Sequence, residues 1–370
     1  MLFLDVLFYS FILVVCIQVI IYVFVYGKFS FLKPHKATSK NLDVSVIVCA
    51  KNEAENLKRF LPSILNQSYP NFQVVLVNDA SSDNTLDVMQ EFAKINSKIK
   101  IVDVKEIEAF WGNKKYALTL GIKAAKYNYL LFTDADCKPV SKYWIKEMTA
   151  LFSSEKSIVL GYGAHSKVKN SFLNKLIRFE TLITAIRYFA FAKLGMPYMG
   201  VGRNLAYKKK TFFDTNGFMS HMKIKSGDDD LFVNEAATED NTAICINKNS
   251  FTTSTTKSSF KSWFTQKRRH VSTAKYYKTN HKILLASVYA IQLFFWVLVI
   301  PLLIIGYQWQ YVIIFMGLRL SFQYFIVGAA SKKLKNKDLI VFIPFLEIFL
   351  ITVQLAIFIN NLISKPVHWK

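Results

Sequence analysis

Asp134 and Asp136 stand two residues apart, directly after the apolar run Tyr129–Thr133. A run of aromatic, aliphatic and β-branched residues without Gly or Pro predicts a buried strand. In an open α/β sheet the ligand crevice lies beyond the carboxyl ends of the strands, so two carboxylates there could hold a hard divalent cation and, through it, a diphosphate. The other interpretation is that both are turn residues that cap the next helix.

Other polar groups occur at the ends of predicted strands or in loops along the same stretch of chain. They are Asn52 with Glu53, Asp79, Asp228 to Asp230, and Gln266 with Arg269. All of them fall within one predicted domain, so the fold has to bring them to one site before they can act together.

Short strands alternate with amphipathic helices from Leu42 onward. The predicted strands are Asp43–Cys49, Phe72–Val77, Ile99–Val104 and Tyr129–Thr133, and the predicted helices are Glu53–Gln67, Asp83–Asn96 and Asn113–Lys126. Repeated units of this length predict the α/β class, with a mostly parallel sheet covered on both faces. The stretch Ser171–Lys193 is open to two interpretations, an amphipathic helix at a membrane surface or a helix packed on the sheet.

The composition does not fit a soluble protein. Hydrophobic residues make up 52% of the 370 residues and Phe alone numbers 32, and the mean hydropathy is +0.24. Four apolar runs are long enough to cross a bilayer: Leu2–Tyr26, Ile283–Ile305, Tyr311–Ala330 and Leu339–Ile363. We therefore predict a transmembrane helix over 1–27, an α/β domain over 42–280 and three transmembrane helices over 281–364.

The distribution of basic residues predicts how these segments are oriented. Lys28, Lys33, Lys36 and Lys40 follow the first run, and the connector Ser331–Asp338 is also basic, whereas Gly306–Gln310 carries no charge. By the positive-inside rule, the α/β domain lies in the cytoplasm and both termini lie outside. We expect an integral protein of the cell or inner membrane, with no cleaved signal peptide.

The net charge of +22 has two possible explanations, nucleic-acid binding or contact with an anionic membrane leaflet. The predicted spans favour membrane lipids as the partner over nucleic acid. The four cysteines form no Cys-x-x-Cys pair and indicate neither a zinc site nor a disulfide framework.

The motifs from Val44 to His270 resemble, in their order, the family 2 inverting glycosyltransferases of the GT-A fold. The similar branch is membrane-embedded and includes cellulose and hyaluronan synthases and ceramide glucosyltransferase-like enzymes. The resemblance implies transfer of a sugar from a nucleotide-sugar donor, with UDP-sugars favoured, to a lipid or saccharide acceptor. It also implies that Mn²⁺ or Mg²⁺ is the cofactor.

The resemblance assigns the donor site to the first four motifs. Ala50, Asn52 and Glu53 match the loop that embraces the nucleotide base, although Cys49 replaces the usual proline, and Asp79 matches the residue that contacts uridine. Within Gly112–Leu118, Lys115 is chosen as the basic residue near the donor phosphates. Asp134-Ala135-Asp136 matches the D-x-D motif, in which Asp136 would ligate the metal and Asp134 would assist.

The last two motifs imply the catalytic base and the acceptor end of the site. In Gly227–Leu231 the base is Asp229 when aligned from the glycine, and counting back from Leu231 favours Asp228. Gln266–His270 resembles the Q-x-x-R-W element at the acceptor and diphosphate end, with His270 in place of tryptophan. We expect Asp230 to be solvated or to start a helix, and Lys267 and Arg268 to face anionic lipid.

These assignments leave other activities open. We rank transfer of a single sugar above processive polysaccharide synthesis, because such synthases usually have more spans and the intact tryptophan. The alternatives are a nucleotidyl- or phosphotransferase on the same fold, and a non-catalytic nucleotide-binding membrane protein such as a scaffold or transporter. Few polar groups lie within the predicted spans, which argues against transport.

Overall fold

A computed structural model describes residues 2–35, 40–105, 114–224 and 226–364. Its main sheet has seven strands in the order β3-β2-β1-β4-β8-β6-β9, and β5, β10 and β7 form a smaller sheet. The strands are β1 Val44–Ala50, β2 Phe72–Asp79, β3 Ile99–Val104, β4 Tyr129–Asp134, β5 Cys137–Pro139, β6 Ile158–Leu160, β7 Gly163–His165, β8 Leu205–Lys208, β9 Thr242–Ile244 and β10 Thr252–Ser254.

The register of the central strands decides where the site forms. β1 pairs in parallel with β2 and with β4, so that Cys49 lies opposite both Val77 and Asp134, and β3 continues the parallel order beside β2. β8 runs antiparallel to β4. The mostly parallel α/β sheet that the sequence predicts is thus confirmed, and the carboxyl ends of β1, β2 and β4 meet at one edge.

Helices cover both faces of this sheet and extend into a separate apolar bundle. They are α1 Leu2–Ser30, α2 Ala54–Leu65, α3 Thr85–Ile95, α4 Lys114–Ala124, α5 Trp144–Thr149, α6 Phe172–Lys193, α7 Lys209–Asp214, α8 Asp230–Ala236, α9 Phe260–Thr273, α10 Thr279–Ile305, α11 Trp309–Lys333 and α12 Ile343–Ile363. The side chains of β1 alternate between two cores, with Val46 and Val48 on the α5 side and Ile47 on the α6 side.

Helix α6 combines the two interpretations offered for Ser171–Lys193. On one side it packs on the sheet, where the Tyr188 hydroxyl donates to the Gly161 carbonyl at 2.8 Å. On the other side Phe189 stacks on Phe29 of α1, with ring centroids 5.1 Å apart. The helix therefore lies between the main sheet and the apolar helices and joins the two.

Within the part of the chain that the structure describes, four helical segments are long and apolar enough to cross a membrane, one N-terminal and three C-terminal, as the sequence predicts. The first runs to Ser30 and so extends past the predicted boundary at residue 27. The other three are α10, α11 and the segment Lys337–Ile363, which includes α12.

Arg319 and Glu347 pair with each other inside the apolar bundle. An Arg319 Nη2 atom lies 2.7 Å from Glu347 Oε1, and Arg319 also donates to Gln18 and Gln323 at 2.7 and 2.6 Å. Both charged side chains are buried. Of the two explanations for these charges within the predicted spans, interfacial snorkelling and mutual pairing, the structure supports pairing.

We expect Glu347→Ala to destabilise the protein by about 3 kcal/mol, because it leaves the buried Arg319 guanidinium without its counter-ion. Asp214→Ala is the matched control, since it breaks the exposed pair between Lys210 and Asp214 and should cost less than about 1 kcal/mol. Thermal unfolding in detergent measures both. Equal melting temperatures for the two variants would contradict a stabilising role for the buried pair.

Candidate active site

The loops after β1 and β2 are tied together by hydrogen bonds. Asn52 has a left-handed backbone, with φ 57°, and its N–H donates to Ser81 Oγ at 3.0 Å. In return, the Ser82 N–H donates to Asn52 Oδ1 at 2.8 Å. Asn52 therefore shapes the loop next to the buried Ala50, and a nucleotide in this crevice would meet a fixed loop surface.

Two carboxyl groups of the predicted donor site lie at this edge of the sheet. Asp79 ends β2 with only 9% of its surface exposed, and burial raises its pKa, with Lys51 and Lys114 opposing the rise. Burial also raises the pKa of Glu53, and Asp136 and Asp134 add to that effect. The loops after β1, β2 and β4 thus place their acids within electrostatic reach of one another.

Asp134, Asp136 and Cys137 form a compact cluster where β4 turns into β5. Their potential ligand atoms all lie within 4.8 Å of one another. Burial, and then the Asp134 carboxylate, raise the pKa of Asp136. Burial also raises the pKa of the Cys137 thiol, which donates to Asp136 Oδ1 at 3.2 Å. The thiol therefore stays protonated, and the two carboxylates remain as oxygen ligands that fit Mn²⁺ or Mg²⁺.

Lys114 joins this cluster to the second group of acids. Its Nζ atom lies 3.0 Å from Asp134 Oδ1 and 3.0 Å from Asp228 Oδ2. Burial favours the neutral amine, but the two carboxylates outweigh burial and hold the pKa of Lys114 well above its usual value. The site therefore contains a fixed ammonium group between its two acidic halves.

The two neighbouring lysines of this motif have different contacts, since Lys114 pairs with two acids while the predicted Lys115 donates to backbone carbonyl groups. Lys115 is 2% exposed, and its Nζ donates to the carbonyl groups of His221 and Ile224 at 2.7 and 2.9 Å. Successive residues of a helix point about 100° apart, so only one of two neighbouring lysines can face the sheet edge. Residues 112 and 113 of the same motif lie outside the described residues.

We expect Lys114→Ala to lower turnover by about 10- to 100-fold, since it removes a charge-assisted contact to both acids. Lys115→Ala is expected to lower the melting temperature, because it removes a buried tie to the loop around His221, while Lys115→Met keeps more of the packing. Turnover and thermal unfolding of each purified variant distinguish the two roles. A larger loss of turnover in a well-folded Lys115→Met than in Lys114→Ala would restore the original assignment.

Asp228 and Asp229 face the same pocket but have different surroundings. Asp228 is held by Lys114, and this ion pair outweighs burial and lowers the pKa of Asp228. Asp229 begins α8, where its two carboxylate oxygens accept the N–H groups of Gly202 at 2.6 Å and Asp230 at 2.8 Å. Burial, together with the charges of Asp228 and Asp230, raises the pKa of Asp229 to about 7.

Asp230 starts α8, as one of its two interpretations predicted, but it is not solvated. Its Oδ2 atom accepts hydrogen bonds from the Thr273 hydroxyl at 2.5 Å and the Tyr277 hydroxyl at 2.6 Å. Asp230 therefore attaches the start of α8 to the end of α9 and to the segment before α10.

Helix α9 brings Arg269 to the acids. Burial lowers the pKa of Arg269, and the charges of Asp228, Asp229 and Asp134 oppose that effect, which places the guanidinium within their electrostatic reach. Gln266 is half-buried on the same helix, and His270 is exposed. Partial burial and the charges of Lys267, Arg269, Arg203 and Lys114 lower the pKa of His270. The predicted acceptor and diphosphate motif thus lies beside the base candidates, with its histidine within electrostatic reach of the site cations.

Lys267 and Arg268 do not face lipid as expected. The Lys267 ammonium lies 2.6 Å from Glu180 of α6, and Arg268 donates to Asn361 Oδ1 at 2.9 Å. These residues attach α9 to two neighbouring helices. Sequence alone does not reveal this, because their partners lie far away along the chain.

Lys114, Asp134, Asp228 and Asp229 line one pocket at the edge of the sheet. It is lined by Ile47, Cys49, Lys114, Leu118, Phe132, Thr133, Asp134, Gly202, Leu205, Tyr207, Asp228 and Asp229. The sequence analysis did not assign Lys114 or Gly202 to the site. A Cβ atom at Gly202 would lie 3.3 Å from Asp229 Oδ2, and the Gly-containing loop at residues 199–207 was the available signal.

Arg203 is a further residue that sequence reasoning did not assign. Its guanidinium donates to Ser254 Oγ at 2.9 Å and to the Ala164 carbonyl at 3.2 Å, and its charge lowers the pKa of Asp136 against the effect of burial. It therefore adds positive charge within electrostatic reach of the metal candidates.

Comparisons with known proteins agree with this arrangement. Residues 45–224 match the model of "Glycosyl transferase family 2". The chain is 38% identical over 93 residues to a poly-beta-1,6-N-acetyl-D-glucosamine synthase of Staphylococcus epidermidis, covering 25% of this chain and 21% of the synthase. It is 32% identical over 117 residues to an uncharacterized glycosyltransferase of Haemophilus influenzae, covering 31% of this chain and 34% of that protein.

Among solved structures, the chain is similar to a mannosyltransferase from Pyrobaculum calidifontis in complex with GDP-Man and Mn²⁺. The TM-score is 0.59 at 17% identity, and the match covers 96% of this chain and 99% of the other. The GT-A-like fold expected from the sequence is thereby confirmed. The curated relatives named above are matched over only about a fifth to a third of their own length.

Proposed function

Since residues 45–224 match the model of "Glycosyl transferase family 2", we propose that this protein is a membrane-bound transferase that moves a sugar from a nucleotide-sugar donor to a lipid or saccharide acceptor. One observation carries this function. The cluster of Asp134 and Asp136 and the base candidates Asp228 and Asp229 meet at one pocket, joined by Lys114 with two contacts of 3.0 Å. A donor diphosphate and an acceptor hydroxyl need such groups on opposite sides of the transferred sugar.

The donor is proposed to lie across the carboxyl ends of β1, β2 and β4. Ala50, Asn52, Glu53 and Asp79 line the loops at this edge, where nucleotides bind in open α/β sheets. The relatives support a nucleotide sugar in general terms, since the structural neighbour holds GDP-Man. We keep a UDP-sugar as the first donor to test.

Asp136, assisted by Asp134, would hold Mn²⁺ or Mg²⁺. Two carboxylates with the Cys137 thiol kept protonated fit a hard divalent ion, and the structural neighbour contains Mn²⁺. When bound, such an ion supplies positive charge to the diphosphate leaving group. Lys114, Arg203 and Arg269 supply further positive charge around the same leaving group as its negative charge develops.

Asp229 is the proposed general base. A carboxyl group with a pKa of about 7 accepts a proton from an attacking hydroxyl group more readily near neutral pH than an ordinary carboxylate does. The fixed hydrogen bonds from Gly202 and Asp230 hold its carboxylate in one orientation. Asp228 is the weaker candidate, because its pairing with Lys114 lowers its affinity for a proton. A single base suits direct displacement with inversion at the anomeric carbon.

The acceptor is proposed to arrive from the membrane side, because α6 and α9 lie between the site and the apolar helices. We retain the cytoplasm as the compartment of the catalytic domain and the outside as the side of the N-terminus. Transfer of one sugar remains our first proposal. Processive synthesis is the second, and the likeness to a poly-beta-1,6-N-acetyl-D-glucosamine synthase favours it.

Release of nucleoside diphosphate by the lipid-reconstituted protein tests this function. The assay uses a panel of UDP- and GDP-sugars, with Mn²⁺, Mg²⁺ or chelator, and with or without a lipid extract as acceptor. We expect metal-dependent release from one donor, stimulated by the extract, and the size of the product separates single transfer from polymerisation. Absence of both release and donor binding across the panel would overturn the proposal and leave a non-catalytic role.

A further inference from the structure

Helix α12 is long and apolar enough to be a fourth membrane span, but its contacts differ from those of the other three. A helix that crosses a bilayer carries its ends to opposite faces of a hydrocarbon core about 30 Å thick. Both ends of α12 instead contact elements of the catalytic domain. We propose that α12 does not cross the membrane and lies against its catalytic-side surface, where it holds α9 beside the active site.

The N-terminal end of α12 is attached to α6 through the connector that precedes it. Asp338 pairs with Arg178 at 2.7 Å and with Lys167 at 3.1 Å. Asn336 in the same connector accepts from Arg178 and donates to the Tyr162 hydroxyl at 3.0 Å. Tyr162 lies two residues after β6 of the main sheet, so this end of α12 lies on the catalytic side.

The C-terminal end of α12 is attached to α9. Arg268 donates to Asn361 Oδ1 at 2.9 Å, to the Asn360 carbonyl at 3.1 Å and to the Ser364 carbonyl at 2.7 Å. In return, Asn361 Nδ2 donates to the Arg268 carbonyl at 3.0 Å. The next residue along α9 is Arg269, which lies beside the acids of the site, so this end of α12 also lies on the catalytic side.

Between these attachments the two helices run side by side in the same direction. Phe260 near the start of α9 contacts Phe349, with ring centroids 6.4 Å apart, and Phe349 also contacts Phe172 at the start of α6 at 5.3 Å. The part of α9 from Phe260 to Arg268 therefore packs along α12 from Phe349 to Asn361. A helix that is basic and carries a site residue cannot follow a span through the hydrocarbon core.

The packing of apolar side chains gives an independent reason. One cluster joins α1, α10 and α11 in the half of the bundle far from the catalytic domain, and its buried members are Phe11, Val15, Phe295, Val299, Leu302 and Val312. Among the described residues, none from α12 belongs to this cluster. The buried residues of α12, including Leu346, Leu350 and Ile357, pack in the core that contains α6 and Trp263 of α9.

The outer face of α12 fits a lipid surface. Its exposed residues include Phe345, Ile348, Phe358, Ile359 and Leu362. Exposed Lys332, Lys335 and Lys337 precede the helix, and basic residues at this position suit anionic headgroups. This exposed face of α12 lies next to three helices that are long enough to span the membrane. We therefore infer that the bilayer covers it. Ser364, which follows α12, would then lie on the catalytic side, opposite to the side predicted for the C-terminus from hydropathy and charge.

Cysteine accessibility tests this topology in the full-length chain. One new cysteine replaces Ser153 in the catalytic domain or Gln310 at the start of α11, or follows Lys370. The background carries Cys16→Ala and Cys49→Ala and keeps the buried Cys137 and Cys245, and the background without a new cysteine gives the baseline labelling. An impermeant maleimide is applied to intact cells and to inverted vesicles. We expect the cysteine after Lys370 to be labelled in the same preparation as Ser153→Cys, and Gln310→Cys to be labelled in the other preparation. Labelling of the cysteine after Lys370 in the same preparation as Gln310→Cys would overturn the proposal.

Reporter fusions give a second measurement that does not depend on the cysteine variants. Green fluorescent protein and alkaline phosphatase are each fused after Lys370 of the full chain and produced in a bacterial host. We expect fluorescence and no phosphatase activity. The reverse result would show that the C-terminus is exported and that α12 crosses the membrane.

The supporting role of α12 predicts that Arg268 is a positioning residue, and this part rests on the proposed transferase activity. We expect Arg268→Ala to lower kcat about 10-fold with an unchanged KM for the donor, because α9 is no longer fixed beside the site. Arg268→Lys should restore part of the loss, and Lys261→Ala on the exposed face of α9 is the matched control. An unchanged kcat in Arg268→Ala would refute the supporting role, while the labelling result stands independently of any activity.

Discussion

Replacing Asp229 with Asn is expected to lower the rate of sugar transfer by about 100- to 10,000-fold, the usual contribution of a general base. Asn is the suitable replacement because it caps helices about as well as Asp, so the start of α8 should be preserved. Stopped assays with saturating donor and acceptor measure the rate, and equilibrium binding of the donor should be unchanged.

The pH dependence of the wild-type protein follows from the same group. Asp229 accepts a proton only in its ionised form, and burial raises its pKa to about 7. The ratio kcat/KM should therefore rise with pH through about 7 and fall as pH decreases below it. In Asp229→Asn this limb should be absent from the remaining activity.

Asp228→Asn is the control that separates the two candidates for the base. It removes the partner of Lys114 but leaves Asp229 and its hydrogen bonds in place, so we expect a smaller loss of rate and a retained pH limb. If Asp228→Asn abolishes the pH limb and Asp229→Asn keeps it, the roles of the two residues must be exchanged.

The parts of the fold that carry strong sequence patterns were predictable. The buried run before Asp134 became β4, and the predicted strand Asp43–Cys49 differs by one residue at each end from the observed Val44–Ala50. The three-residue strands such as β5 and β10 were not predicted, because a segment of that length is too short to display a hydrophobic period. These strands complete the site, since β5 follows Asp136 directly.

The choice between neighbouring residues was less predictable than the motif that contains them. Lys114 and Lys115 have the same charge, and only the rotation of α4 decides which one faces Asp134. The same limit applies to Asp228 and Asp229, whose difference arises from Lys114 and from the loop containing Gly202. Local sequence does not encode contacts with residues that are distant along the chain.

Hydropathy identified α12 as a candidate span because it reports composition and length only. The interactions that attach α12 to the catalytic domain are made by Arg178, Arg268, Asp338 and Asn361. Two of these are basic residues that, in the sequence, were equally consistent with contact to lipid headgroups. Their partners became evident only from the folded structure.

The second large effect is expected for Asp136→Ala, which should lower metal-dependent transfer by about 1,000-fold, because the diphosphate leaving group loses its main source of positive charge. Asp136 should matter more than Asp134, since Asp134 is engaged by Lys114 at 3.0 Å while Asp136 accepts a weak thiol hydrogen bond from Cys137.

Direct binding of Mn²⁺, measured by electron paramagnetic resonance with and without donor, tests this role separately from turnover. We expect weaker binding in Asp136→Ala, a smaller decrease in Asp134→Ala and none in the exposed control Asp214→Ala. Wild-type transfer that persists in excess chelator would contradict metal dependence. Normal Mn²⁺ binding by a folded Asp136→Ala would instead remove Asp136 from the ligand set.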